Sequence, residues 1–347
     1  MKKIRHGIIG LGKTVGIAGA HIQGLQECSG IQLVAVYDVE RSMAQDMCDE
    51  FSLTDIAICD TEEEFFAQID SVSICTPNNT HVDVAMRAVT HGLHVLIEKP
   101  ISTNAALVAP LEALCEQHPE QVIMVSFNYR EFNFYKEIKA ILENGTLGKI
   151  YLYRQQLGGA RIANPHVCRE WRMNAQTSGS GALADFGCHM LDLAVWFTQD
   201  SCGKIVQTDA QLATAIETRT ALASDAIETV DNDDCAVFIA KSESGTLYNF
   251  TASRVGVCNH TIEIVGEGGM LSVNVDADEG IVLWCKEPDG SYRVEDKKVI
   301  PVVPKRGHDG ILQHFVDCIE GTAINTRTVS YAKEIQTLID EMWEANK

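Results

Sequence analysis

The sequence predicts an α/β protein with a parallel sheet in its N-terminal part and a mostly antiparallel sheet in its C-terminal part. In the first third of the chain, short apolar runs alternate with helical patterns, which indicates a parallel sheet covered by helices on both faces. After about residue 128, β-type segments separated by turns dominate, which is typical of an antiparallel or mixed sheet. A chain of 347 residues fits about two domains. We expect them to comprise residues 1–126 and 127–347.

The N-terminal domain is expected to place polar residues at one edge of its sheet. Predicted strands cover residues 4–9, 33–37, 72–75, 95–97 and 122–125, and predicted helices cover 82–89 and 105–115. Parallel sheets bind ligands at the carboxyl ends of their strands. The residues that directly follow strands should therefore gather there, and they are Asp38, Thr76-Pro77-Asn78 and Glu98-Lys99-Pro100.

The C-terminal part is expected to be an α+β domain. An amphipathic pattern predicts a helix over residues 131–144, ended by the Asn144-Gly145 pair. Turns such as Ser244-Gly245 and Asp289-Gly290 join several of the β-type segments. Strands are predicted at 150–156, 235–240, 246–253, 261–265 and 281–284, and further helices at about 182–197 and 330–345.

Composition excludes several classes of function. The formal net charge of -20 repels phosphate backbones, so nucleic acid is not an expected partner. No apolar run reaches the ~18 residues of a membrane span, and the N-terminus lacks the pattern of a signal peptide. We therefore expect a cytoplasmic protein that does not bind membranes.

Neither the cysteines nor the acidic runs predict a metal. The 12 cysteines contain no C-x-x-C pair and lie singly, often in apolar stretches, as expected for reduced, buried thiols. The run Asp231-Asn232-Asp233-Asp234 looks like a metal-binding pattern but leads into a strand, and we expect a solvated turn. No metal site is predicted.

A glycine-rich loop follows the first strand, at residues 10–16. In such loops the first glycine, here Gly10, permits a tight turn, and the second, Gly12, lets the backbone approach a dinucleotide pyrophosphate. The usual third glycine is replaced by Val15, and the nearest glycine is Gly16, so the loop is longer than the standard fingerprint. The expected cofactor contacts of this loop are Gly10, Gly12, Lys13, Thr14 and Val15.

Asp38 ends the second strand at the spacing expected of the residue that binds the adenosine ribose. Its carboxylate can accept hydrogen bonds from the ribose hydroxyls and would repel the extra phosphate of NADP. The sequence thus favours NAD over NADP. The alternative is that Asp38 only caps the following helix.

Two signatures resemble those of the glucose–fructose oxidoreductase, inositol dehydrogenase and rhizopine-catabolism family (Gfo/Idh/MocA). The first comprises Thr76-Pro77-Asn78, His81 and residues 92–100, which end in Glu98-Lys99-Pro100. The second comprises Trp171-Arg172 and the glycine-rich residues 178–189, which carry an aspartate and a histidine four residues apart. Weaker similarity continues to the C-terminal helix. The longer glycine loop and Ser180, where many members carry glycine, depart from the family pattern.

The resemblance implies a Rossmann dinucleotide-binding domain followed by a domain built on a large open sheet. It also implies an NAD- or NADP-dependent dehydrogenase or reductase of sugars, inositols or related polyols. The exposed face of the C-terminal sheet often mediates homodimers or homotetramers in this family. Further cofactor contacts implied by the first signature are Thr76, Pro77, Asn78, His81, Glu98 and Lys99.

The resemblance also assigns the reaction site to Lys99, Asp185 and His189. Oxidation of a secondary alcohol requires a proton acceptor, and histidine suits this task because its unperturbed pKa lies near neutrality. His189 is the expected acid/base, and Asp185, one helical turn earlier, is expected to orient it or to bind a substrate hydroxyl. The Lys99 ammonium is expected to stabilise the reacting oxygen. Candidate substrate contacts, each with a purely structural alternative, are Tyr129, Arg130, His166, Trp171 and Arg172.

Two other functions are compatible with the same motifs. A branch of the family uses NAD transiently to cleave glycosidic bonds, and net reduced cofactor would then not accumulate. A non-catalytic regulator that binds dinucleotide is the other alternative. The presence of both Lys99 and His189 argues against a pure binding protein, because binding alone does not need that pair.

Overall fold

The computed structural model describes residues 3–12, 16–276, 280–297 and 307–347. Its strands are β1 Ile4–Ile9, β2 Ile31–Tyr37, β3 Ala57–Ile58, β4 Ser71–Ile74, β5 His94–Ile97, β6 Ile123–Val125, β7 Ile150–Gly158, β8 Ile205–Ala213, β9 Thr218–Thr220, β10 Ile227–Thr229, β11 Cys235–Ser242, β12 Leu247–Ser253, β13 Asn259–Gly266, β14 Gly269–Asn274, β15 Ile281–Lys286 and β16 Tyr292–Lys297.

Its helices are α1 Ile17–Glu27, α2 Arg41–Glu50, α3 Glu62–Ala67, α4 His81–Thr90, α5 Ala109–Gln117, α6 Asn133–Glu143, α7 Ala175–Ser178, α8 Ala182–Asp185, α9 Gly187–Cys202, α10 His308–Ile319 and α11 Val329–Glu344. Short 3-10 turns lie at Asn78–Thr80, Ala105–Val108, Asn128–Glu131 and Trp171–Met173.

The chain forms two compact units. The first contains the described residues within 1–128, 176–179 and 304–336, and the second contains those within 129–175, 180–303 and 337–347. The chain first passes from one unit to the other between residues 128 and 129, close to the expected boundary at 126/127. Residues 307–336, which the prediction assigned to the C-terminal domain, belong to the first unit. We propose residues 1–126 as the dinucleotide-binding domain and residues 127–347 as the domain for substrate binding and oligomerisation.

The first unit is built on a parallel sheet with the strand order β3-β2-β1-β4-β5-β6. This is the strand order of a Rossmann fold, in which the order reverses between β1 and β4. The predicted N-terminal fold is therefore confirmed. The short strand β3 was not predicted, because two half-buried residues make no recognisable pattern.

Helix α10 completes the core of this unit. Buried strand residues such as Ile8 and Met124 form one apolar cluster with Leu312 and Phe315 of α10. The prediction missed α10, although Ile311, Leu312, Phe315 and Val316 recur at helical spacing. A prediction with a single domain boundary near residue 126 does not allow a later segment of the chain to return to the first unit.

The second unit is built on an eight-stranded sheet with the order β16-β15-β14-β13-β7-β12-β11-β8. All of its neighbouring pairs are antiparallel except β7 and β12. The predicted large, mostly antiparallel sheet is confirmed. Strand β8 was not predicted, because as an edge strand with mostly exposed residues it lacks a strong apolar alternation.

Helix α9 lies on β7 and β12 and packs against α6. The rings of Phe238 and Phe250 stack beneath these helices with centroids 4.6 Å apart, and Tyr153 and Tyr248 are fully buried beside them. These contacts hold α9, the helix that carries His189, on a rigid sheet. Among the described residues, no helix is long and apolar enough to cross a membrane.

Candidate active-site residues in the two units

The glycine loop starts with a backbone conformation that only glycine adopts readily. Gly10 directly follows β1 with φ +89°, and a Cβ there would lie 2.6 Å from the Thr76 backbone nitrogen. A Cβ at Gly12 would meet no described atom within 4 Å. Gly16, with φ +66°, precedes α1. The expected contacts Lys13, Thr14 and Val15 lie outside the described residues.

Asp38 holds the glycine loop. Its Oδ2 accepts a hydrogen bond of 2.6 Å from the Leu11 backbone N–H, between the two glycines. Its Oδ1 accepts a second bond of 2.9 Å from the Glu40 N–H, as in an Asx turn. The carboxylate thus ties the end of β2 to the loop after β1, a role the sequence did not suggest.

His81 links the two loops that follow β4 and β5. It is fully buried at the start of α4. Its Nδ1 lies 2.9 Å from the carbonyl oxygen of Pro100, and its Nε2 lies 2.8 Å from that of Thr76. The neighbouring Asn78 donates a bond of 2.9 Å to the Ser178 carbonyl. The residues predicted after these two strands therefore do gather at one edge of the sheet.

Glu98 points into the interior. Its Oε1 lies 2.8 Å from His21 Nε2 and 3.7 Å from His308 Nε2, and its Oε2 accepts a bond of 3.3 Å from the Lys99 backbone N–H. Burial by itself raises the pKa of the Glu98 carboxyl. The hydrogen bond from His21 and the nearby His308 outweigh that effect and hold the pKa well below its usual value. The Lys99–Pro100 peptide is cis.

The segment that carries Asp185 and His189 is not one helix. The predicted continuous helix over 182–197 is interrupted at Phe186, so that Asp185 ends α8 and His189 lies in the first turn of α9. This corrects the expectation that the pair shares one face of one helix. Gly187, directly after Phe186, is the local signal that could have revealed the break, because glycine has a low helix propensity.

Asp233 fixes the start of α8. Its carboxylate accepts hydrogen bonds of 2.5 Å from the Gly181 N–H and 2.8 Å from the Leu183 N–H. A Cβ on Gly181 would lie 1.7 Å from the Asp233 carbonyl oxygen, so only glycine permits this close approach. Asp233 satisfies two of the amide donors that the first turn of a helix leaves unpaired.

The expectation that residues 231–234 form a solvated turn is wrong for residues 232–234, whereas Asp231 is exposed. Asn232, Asp233 and Asp234 are 1%, 2% and 1% exposed. The buried Arg254 donates to Asn232 Oδ1 at 2.9 Å and to Asp234 Oδ1 at 3.2 Å. A buried arginine thus compensates the acidic run.

Tyr129 stacks on His189. Their ring centroids are 4.0 Å apart with an interplanar angle of 8°. Behind this pair, the Tyr135 hydroxyl lies 2.9 Å from Nε2 of the buried His260, which is also 3.1 Å from Gln155 Nε2. Burial lowers the pKa of His260 to about 4. The stack restrains the His189 ring.

The other predicted substrate contacts have different surroundings. Arg130 is buried, and its Nε lies 3.0 and 3.1 Å from the two carboxylate oxygens of Asp192. The Arg172 guanidinium lies 4.1 Å from the centre of the Trp171 ring. His166 is exposed in a loop. The structural alternative for Arg130 was a salt bridge on the surface. The structure instead shows an ion pair with Asp192 that is buried.

Each unit therefore assembles its own set of candidate residues. In the first unit these are Gly10, Gly12, Asp38, Thr76, Pro77, Asn78, His81, Glu98 and Lys99; in the second they are Tyr129, Arg130, His166, Trp171, Arg172, Asp185 and His189. The residues that sequence reasoning missed are His21, His308 and Asp233.

Comparison with known families covers most of the chain. Residues 4–127 match the model described as the GFO/IDH/MocA oxidoreductase family, NAD-binding Rossmann fold. Residues 135–272 match the GFO/IDH/MocA C-terminal domain.

Individual relatives are similar over similar spans. Glucose-6-phosphate 3-dehydrogenase of Bacillus subtilis is 28% identical over 273 residues, which cover 77% of this chain and 72% of that protein. An uncharacterized oxidoreductase of a Synechocystis species is 30% identical over 277 residues, which cover 76% and 72%. The solved structure of levoglucosan dehydrogenase in complex with NADH shares the fold with a TM-score of 0.85 at 20% identity, over 99% of this chain and 97% of that one.

The NAD-binding family model and the dehydrogenase relatives confirm the expected cofactor, NAD, and the expected reaction class, that of a dehydrogenase. The chain belongs to the GFO/IDH/MocA oxidoreductase family.

Proposed function

We propose that this dehydrogenase transfers hydride between a secondary alcohol of a sugar, inositol or related polyol and NAD. The observation that carries the proposal is the position of Lys99, directly after β5 on the carboxyl edge of the NAD-binding sheet. The similarity to a dehydrogenase of glucose 6-phosphate supports a polyhydroxy substrate.

The residues of the first unit fit NAD. No described atom lies within 4 Å of a Cβ placed on Gly12, in the loop that follows β1 where the strand order reverses, and this is where a pyrophosphate binds in such sheets. Asp38 directly follows β2, and its carboxylate bonds the glycine loop, where its negative charge favours a ribose hydroxyl over a 2′-phosphate. When bound, NAD supplies the hydride acceptor of the reaction.

The protein residues then handle the oxygen and its proton. The Lys99 ammonium donates a hydrogen bond to the reacting oxygen and stabilises negative charge on it. His189 accepts the hydroxyl proton in the oxidation direction and returns it in reduction. Asp185 supports that proton transfer or binds a neighbouring hydroxyl. Tyr129, His166, Trp171 and Arg172 are the proposed substrate contacts.

The exposed face of the C-terminal sheet supports the proposal of a homodimer or homotetramer. Large apolar side chains stand at exposed positions of four of its strands, which would be unfavourable in water if the face stayed uncovered. These residues are Tyr151, Val206, Val237, Ile239 and Leu247.

The test is NADH formation by the purified protein with a panel of inositols, sugars, sugar phosphates and glycosides. His189→Ala and Lys99→Ala should each lower kcat about 10²- to 10⁴-fold. The controls His91→Ala and Lys149→Ala, which change exposed residues outside the strands, should retain wild-type rates. NAD binding with cleavage of a glycoside and no accumulation of NADH would instead support the hydrolase alternative.

A further inference from the structure

A buried hydrogen-bonded group surrounds the backbone of Lys99 and Pro100. On one side, the Glu98 carboxylate joins helix α1 to this backbone, because one oxygen bonds His21 Nε2 at 2.8 Å and the other accepts the Lys99 N–H at 3.3 Å. His21 is fully buried, and Glu98 is only 5% exposed. Water cannot readily replace either bond.

The His21 ring is itself fixed from behind. Its Nδ1 lies 2.9 Å from the Ser73 hydroxyl in β4, and that hydroxyl also lies 2.9 Å from Nε2 of the buried His6. Rotation of the ring would break two hydrogen bonds in a dry interior and leave buried polar groups unsatisfied. The position of Glu98 is therefore set by β4 and α1 as well as by its own strand.

A second histidine holds the other side. His81 Nδ1 lies 2.9 Å from the Pro100 carbonyl oxygen, and its Nε2 lies 2.8 Å from the Thr76 carbonyl oxygen. His81 is fully buried as well. The dipeptide that presents the Lys99 side chain is thus clamped between two imidazoles, one acting through Glu98 and one directly.

We propose that His21 and His81 are positioning residues of the dehydrogenase, which hold the Lys99 backbone so that its ammonium meets the reacting oxygen. The inference rests on the proposed role of Lys99. A lysine side chain has four rotatable bonds, so its precision depends on a rigid backbone. A displacement of about 1 Å in such an element can lower the rate about 10²-fold.

The same cluster has the composition of a metal site, since His21, Glu98 and His308 offer ligand atoms within 4.8 Å of one another. The 2.8 Å separation of His21 Nε2 and Glu98 Oε1 favours a hydrogen bond with a proton between them. Two ligands bound at about 2.0–2.1 Å to one tetrahedral ion would lie roughly 3.3 Å apart. The geometry therefore favours the positioning role.

The experiment compares His21→Leu, His21→Gln and His81→Leu with His94→Leu in the full-length protein. His94→Leu is the control, because His94 lies half-buried in the same sheet and its Nδ1 accepts a hydrogen bond of 2.9 Å from the Val122 N–H, outside the hydrogen bonds that join His21, Ser73 and Glu98. Melting temperature, kcat, KM for NAD and bound metal are measured for each. We expect kcat to fall about 10²-fold in His21→Leu and in His81→Leu, with KM for NAD nearly unchanged. His21→Gln should recover most of kcat, since its amide can donate to Glu98.

Each leucine substitution is then combined with Lys99→Ala, and the rate of NADH formation in a single turnover is measured for each double variant. A residue that acts through Lys99 should cause no further loss in that background, whereas general destabilisation should lower the rate equally in both. Three results would overturn the proposal: equal losses of rate in the wild-type and Lys99→Ala backgrounds, an equal kcat defect in His94→Leu, or a stoichiometric metal that His21→Leu removes. If Lys99→Ala keeps wild-type activity, the proposed function fails together with this inference. An inactive Lys99→Ala alongside a fully active His21→Leu overturns this inference alone.

Discussion

The rings of Tyr129 and His189 lie 4.0 Å apart and nearly parallel, so the proposed acid/base carries an aromatic ring on one face. Tyr129 comes from the 3-10 turn that leads into α6, and His189 from the start of α9. Helices α6 and α9 pack together, so the stack is supported on both sides by secondary structure. Aromatic stacking therefore orients the imidazole.

Loss of this stack should reduce turnover. Tyr129→Ala removes an interaction worth about 0.5–1.5 kcal/mol, so we expect kcat to fall about 3- to 10-fold. Tyr129→Phe keeps the ring and should stay close to wild type in steady-state NADH formation. A loss in Tyr129→Phe as large as that in Tyr129→Ala would show that the hydroxyl, rather than the ring, is what matters.

The Asp233 cap should contribute to stability and to the placement of α8. Asp233→Ala leaves the Gly181 and Leu183 amides without their acceptor, so the free energy of unfolding should fall by about 1–3 kcal/mol. Urea denaturation measures this loss, and Asp225→Ala, at an exposed position, is the control. An unchanged denaturation midpoint in Asp233→Ala would contradict the capping role.

The buried pair of Arg130 and Asp192 should behave as a structural element. Arg130→Met leaves the Asp192 carboxylate buried without its partner, so we expect a loss of about 3–5 kcal/mol in the free energy of unfolding. The double variant Arg130→Met with Asp192→Leu should recover part of it. If Arg130→Met instead raises KM for the polyol and leaves stability unchanged, Arg130 is a substrate contact.

Acid should weaken the second unit through His260. Burial lowers its folded-state pKa to about 4, from 6.5. Between these values the unfolded chain binds the additional proton, so the free energy of unfolding falls as pH falls, by up to about 1.4 kcal/mol per pH unit from this group. Urea denaturation at several pH values should give a shallower slope for His260→Gln than for wild type. Identical slopes would contradict this assignment.

Asp38 should set the preference for NAD through its charge. Asp38→Asn retains an oxygen that can accept the Leu11 N–H but removes the repulsion of a 2′-phosphate. The ratio of kcat/KM for NAD over NADP should therefore fall, by about tenfold for a change of 1.4 kcal/mol. Asp38→Ala, which also releases the loop, should lose activity with both cofactors. A ratio that Asp38→Asn leaves unchanged would place the selectivity elsewhere.

The sequence predicted those features that are encoded locally. Apolar runs and turn residues located most strands of both sheets, and the residues after β4 and β5 do meet, because parallel strands end at one edge. His21 and Glu98 are 77 positions apart, and His308 comes from the far end of the chain, so no spacing rule joins them. Residues 231–234 were misjudged because local polarity suggested exposure, whereas Arg254, distant in sequence, compensates their charge in the interior. The start of α8 is capped by Asp233, which lies about 50 positions later in the chain, so no local pattern revealed this contact.

The central claim is that hydride passes directly from a carbon of the polyol to NAD. It is tested most directly with a perdeuterated form of each compound from the panel that is turned over, followed by mass spectrometry of the reduced cofactor. We predict that the NADH formed is one mass unit heavier than NADH from the unlabelled compound. We also predict that the Lys99→Ala and His189→Ala variants form it far more slowly than wild type. Reduced cofactor without deuterium, or no reduction with any polyol, would contradict the account.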